Sequence, residues 1–126
     1  MKRSIIAAAL LIGAIVVCSL SYCFLNNTTD TIISLSDTAL KSAEENNTEQ
    51  MLITAQKIKN TWIKKESILS AITPHGETES MDEIIEKLIY FAENKKIDKY
   101  KEYCVELKAQ AAFIKEEEKL SLRNIF

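Results

Sequence analysis

A chain of 126 residues with only two glycines and one proline cannot supply the turn every ~8–12 residues that a sandwich or barrel needs, which excludes those folds and leaves helices. Lys2 and Arg3 precede a long apolar run and all eighteen acids follow it, so the rest of the chain, with fourteen basic residues, carries a charge of −4. No clustered basic face exists to release counterions from phosphates, which argues against a nucleic-acid partner, and the close mixing of charged and apolar residues excludes compositional disorder.

From Ser4 to Thr29 no side chain is ionisable apart from Cys18, Tyr22 and Cys23, all neutral at pH 7. The apolar body from Ile5 to Leu25 matches the ~20 residues that cross a hydrocarbon layer ~30 Å thick. Lys2 and Arg3 flank one side, while Asp30 follows on the other with no basic residue before Lys41, so the positive-inside tendency keeps the N-terminus cytoplasmic. The expected organisation is a cytoplasmic stub at residues 1–3, a transmembrane signal-anchor helix at 4–25 and an extracytoplasmic bundle at 26–126. Ser19-Leu20-Ser21 offers the alternative of a cleaved signal peptide, cut before Tyr22, which would leave a secreted domain. The run is longer than a typical ~7–15-residue signal core and continues past that site, so an anchor is favoured. Cys18 follows Val17 and Cys23 follows Tyr22, neither a small residue, which argues against lipoprotein processing. Cys104 is alone in the outer domain and is expected as a buried thiol.

Asn26-Asn27-Thr28-Thr29-Asp30 is a polar cluster that predicts the end of the membrane helix and a cap for the next, although one continuous helix fits as well. A helix over about Thr31 to Glu45 presents Ile32, Ile33, Leu35, Ala39, Leu40 and Ala43 on one stripe. Asn46-Asn47-Thr48 interrupts it, and Asn47 with Gln50 resembles a capping box. The next helix, Thr48 to Ile72, places Ala55, Ile58, Trp62, Leu69 and Ile72 inward, with Lys65 at an inner step; Ile63 and Ile68 widen the face toward two neighbours. Thr73-Pro74-His75-Gly76 breaks it.

Ser80 with Glu83 predicts a cap opening a third helix, with Met81, Ile84, Ile85, Leu88, Phe91 and Ala92 inward and Asn94-Lys95-Lys96 at its close. The steps of Ile97, Tyr100, Cys104, Leu107, Ala111 and Ile114 alternate three and four, the seam of a helix packed at a shallow angle. Lys115 to Lys119 reads as a solvated face with short-range charge pairs, and the apolar ending Leu120-Ser121-Leu122-Arg123-Asn124-Ile125-Phe126 is expected to fold back on the domain. Short links imply an antiparallel three- to four-helix up-and-down bundle after the transmembrane helix, all-α throughout.

The order Trp62, His75 with Glu77, Asp98, a helix containing Leu107, and then Glu118-x-Leu120-Ser121-Leu122-x-Asn124-Ile125 resembles the domain of unknown function 4363 family, short Gram-positive bacterial proteins with a similar N-terminal apolar segment. The resemblance covers most of the chain and is most specific in its Leu-Ser-Leu-x-Asn-Ile ending. The sequence departs from the family in lacking an aromatic residue around Thr48 to Met51 and in placing Gly76 and Thr78 beside His75 and Glu77. The resemblance implies an envelope protein of unassigned role and carries over no catalytic residue.

His75, the only histidine, together with Glu77 and Glu79 is the one constellation that could approach a divalent metal. Its spacing is not a recognised ligand pattern, and a histidine at a helix end that caps carbonyls or packs near Trp62 accounts for it as well. Cys104 or a serine would have to recruit that same histidine as base, and no glycine-rich phosphate loop is present. No catalytic, metal or cofactor site is therefore expected. The functional expectation is an interaction module of the cell envelope that binds a protein partner or itself, the alternative being a sensor-like bundle that takes a small ligand or metal near His75.

Overall fold

A computed structural model describes the backbone of residues 1–72 and 75–125, with the side chains of 67–72, 75, 77, 118 and 121–125 outside the description. Four helices occupy it: α1 Lys2–Glu44, α2 Thr48–Ile72, α3 His75–Glu93 and α4 Ile97–Ile125. Each packs against the next, and α4 returns to pack against α1, which closes an up-and-down four-helix ring.

The polar cluster does not end the first helix. α1 runs 43 residues without a break, roughly 65 Å at the usual rise per residue. The reason is local: the hydroxyls of Thr28, Thr29 and Thr31 donate back to the carbonyls of Phe24, Leu25 and Asn27 at 2.9–3.0 Å, and Asn26 reaches Asp30 one turn on at 3.4 Å. Residues that cap a helix when they stand before it also satisfy themselves inside one. The expected anchor and the first outer helix are thus one element, whose residues up to Leu20 are exposed apart from a half-buried Cys18, while Leu25, Thr28, Thr29, Ile32, Ser36, Ala39 and Ala43 are buried.

The first link forms as expected. Asn46 takes φ 57° in the left-handed region that asparagine tolerates, and the Asn47 side chain accepts a hydrogen bond from the Gln50 amide at 3.2 Å. The third link repeats the device with Lys95 at φ 55°. Between them the chain departs from expectation, since α3 begins at His75 and not at Ser80, whose hydroxyl bonds back to the Gly76 carbonyl at 3.0 Å within the helix. The sequence supplies acids, Glu77 and Glu79, near that start, and negative charge there is stabilised by the positive end of the helix macrodipole. Thr73 and Pro74, expected to break the chain here, lie outside the described residues.

The core follows the periodicity. Met51, Ala55, Ile58 and Trp62 of α2, Met81, Ile84, Ile85, Leu88 and Ala92 of α3, and Tyr100, Cys104, Leu107, Ala111 and Ile114 of α4 are all buried. Ile33, Leu35, Leu40, Phe91 and Ile97 are half-buried against that core. Ile63 is exposed and does not widen the inner face of α2, a role that falls to Met51 and Thr54; Ile68, Leu69 and Ile72 lie outside the described side chains. Lys65 fills its inner step by lying over the Phe24 ring at 5.0 Å, its stem on apolar surface and its ammonium on the ring face.

The backbone of the apolar ending does not turn back as far as Ile125; the side chains of residues 121–125 and all of Phe126, on which the rest of that expectation falls, lie outside the described residues. α4 continues in one line to Ile125, with Leu120 54% exposed. Lys115, expected to pair within its own run, bonds instead to Asp30 of α1 at 2.7 Å.

Candidate functional site

Of the His75 constellation, the side chains of His75 and Glu77 lie outside the described residues, and Glu79 is exposed. Among the described residues no group of three or more histidine, cysteine or acidic side chains could hold a metal. Cys104 is 1% exposed and its thiol is pushed up to about 12 by burial, so it is neutral at physiological pH.

Polar chemistry gathers elsewhere, in an open cleft of about 230 Å³ between α2 and α3. Trp62 is 2% exposed, yet its indole N–H reaches the rim and donates to Asp82 Oδ1 at 2.6 Å. Glu66, one turn further along α2, hydrogen-bonds the same Asp82; that bond, then burial, then the neighbouring negative charge raise its carboxyl to about 7. Lys59 pairs with Glu86 across the same cleft at 2.7 Å. Two carboxyls from facing helices can thus share one proton near neutral pH, steadied by an indole donor. Sequence reasoning placed Trp62 in the core and missed Glu66 and Asp82, because two acids sixteen residues apart meet only once the α2–α3 register is known.

A second cleft, of about 160 Å³ between α3 and α4, holds Lys87 beside Glu83 at 3.4 Å and over the Tyr103 ring at 5.5 Å. Neither cleft encloses a ligand-sized volume. The larger unpaired feature is the outward side of α4, where Val105 and Phe113 are exposed with Ala109 and Ala112 between them at steps of four and three.

Fold and surface together define a small all-α protein, a four-helix bundle whose first helix extends into an exposed apolar stem long and apolar enough to cross a membrane. Within that class, the chain belongs to the family described as Domain of unknown function (DUF4363), which it matches over residues 19–125. No curated protein and no solved structure matches it. The match begins close to where α1 first packs against the bundle.

Proposed function

We propose that the protein is anchored in a cell membrane by the stem of α1, with the bundle on the outer side, and acts there as a protein–protein interaction module of the envelope without catalytic activity. The observation that carries this reading is the unbroken passage of α1 from an exposed apolar stem into the bundle core at Leu25. An apolar surface of that length is costly in water and at home in lipid. Lys2 and Arg3 before the stem favour the cytoplasm for the N-terminus, and so the outer face for the bundle.

The outward side of α4 is the surface a partner helix fits: Val105 and Phe113 flank a shallow step made by Ala109 and Ala112. A photo-crosslinking side chain at Ala109 in intact cells is expected to capture one discrete protein, a second copy or another envelope protein, while the same group at Lys57 on α2 captures none. An empty result at Ala109 from carbonate-resistant membranes sinks the interaction role. Recovery of the protein in the soluble fraction sinks the anchor.

A further inference from the structure

On the reading that the stem of α1 spans the membrane, we infer that the end of α4, from Leu120 onward, enters the interface of the outer leaflet beside α1 and gives the bundle a second lipid contact. The register between the two helices fixes the depth. Lys108 bonds Asp37 at 2.8 Å and Lys115 bonds Asp30 at 2.7 Å, so seven residues down α4 match seven residues back along α1. Both helices rise about 1.5 Å per residue, so continuing the count sets Leu120 level with Leu25 and Ile125 level with Leu20. A span of ~20 residues that starts at Ile5 ends near Leu25. The last turn and a half of α4 therefore occupies the same height as the top of the span.

The composition of α4 changes at that height. Lys115 to Lys119 are all charged; from Leu120 the chain reads Leu, Ser, Leu, Arg, Asn, Ile, Phe, with Arg123 its one charged side chain. Leu120 is 54% exposed. On α1, the exposed Leu20, level with Ile125, is 65% open to the surroundings, and the half-buried Tyr22, an aromatic residue of the kind that settles at headgroup depth, stands just above. A basic residue within this stretch of sequence favours the interface over the hydrocarbon centre. A bundle held at two points stands in a fixed orientation on the membrane, whereas one held by a single helix pivots about it.

Single tryptophans introduced into the full chain and reconstituted in phosphatidylcholine–phosphatidylglycerol vesicles containing doxyl-labelled lipid test this. Val16→Trp reports the span, Leu120→Trp the end of α4, and Tyr90→Trp the distal end, each read against the unmodified protein, whose Trp62 is buried. Lys119→Trp is a second reporter should Leu120→Trp disturb the helix. Loss of the added emission for Val16→Trp and for Leu120→Trp, with none for Tyr90→Trp, supports the second contact. Quenching of Val16→Trp alone overturns it and leaves the anchor standing; quenching of neither overturns both. An emission at position 120 that is blue-shifted yet insensitive to doxyl lipid means that another copy covers this end, which also overturns it.

Discussion

Tyr100 reaches from α4 to α2, where its hydroxyl donates to the Met51 carbonyl at 2.8 Å in the distal end of the core. That carbonyl also belongs to the helical ladder, so removing the hydroxyl leaves it one partner rather than none. Tyr100→Phe should cost about 0.5–1.5 kcal/mol, seen as a lower urea midpoint with an unchanged slope. A midpoint that does not move means the bond contributes nothing net. The Glu66–Asp82 pair has a different signature. Glu66 is raised from 4.5 to about 7 in the folded chain, so its contribution is fully present below about 4.5 and is lost as pH rises through about 7. Between pH 5 and 8 the stability difference between the native chain and Glu66→Gln should shift in favour of the variant, because the amide keeps a donor toward Asp82 and cannot ionise. Parallel melting profiles for the two proteins across that range would refute the shared proton. Neither Tyr100's partner nor this pair was legible in the sequence, whereas the burial of Trp62, Cys104 and Tyr100 was, because periodicity reports which way a residue faces and not what it meets across the interface.

At the scale of helices, the boundaries that were legible are those set by chain geometry. Asn46 and Asn94-Lys95-Lys96 mark turns that need a left-handed residue, and α2 starts and stops where its signals lie. The boundaries that failed are those read from side-chain caps. Asparagine, threonine and serine serve equally as caps and as residues bonded back to the carbonyl four before, and Thr28, Thr29, Thr31 and Ser80 take the second option. What decides is the apolar stripe on either side: Leu25, Ile32, Ala39 and Ala43 keep one helical phase straight through the cluster, so ending the helix would misplace the whole face. The continuity of α1 predicts sensitivity at an exposed position. Thr31→Pro removes the helical bond to the Asn27 carbonyl and clashes with it, and should cost about 3 kcal/mol or more although Thr31 itself is exposed. Thermal unfolding of the reconstituted variant reads this; an unchanged transition would show that stem and bundle are separate helices.

For the whole molecule, the question is where the folded unit begins. The ion pairs Asp30–Lys115 and Asp37–Lys108 mark the register of α1 and α4, but exposed pairs of this kind contribute about 0–1 kcal/mol and do not hold the helices together. The core does, and it extends to Leu25, which is 1% exposed, with Phe24 packed partly against it and its ring beneath Lys65. A boundary drawn at the polar cluster places these residues with the lipid span, because hydropathy sees an apolar residue and cannot tell a lipid neighbour from a protein one. The family match, which starts at residue 19, falls on the packing side of that ambiguity. Two fragments make the difference measurable. One beginning at Asn26 loses Leu25 and the ring that Lys65 covers, and it also starts α1 in the middle of its packed stretch, where the first amides lack partners. One beginning at Ser19 keeps all of these. Full burial of a leucine contributes about 1.5–3 kcal/mol, so the shorter fragment should be less stable by at least about 2 kcal/mol, with a lower urea midpoint and a smaller slope from the surface it no longer buries. Equal midpoints would mean that Leu25 adds nothing to the bundle, and that the water-soluble unit starts at the polar cluster after all.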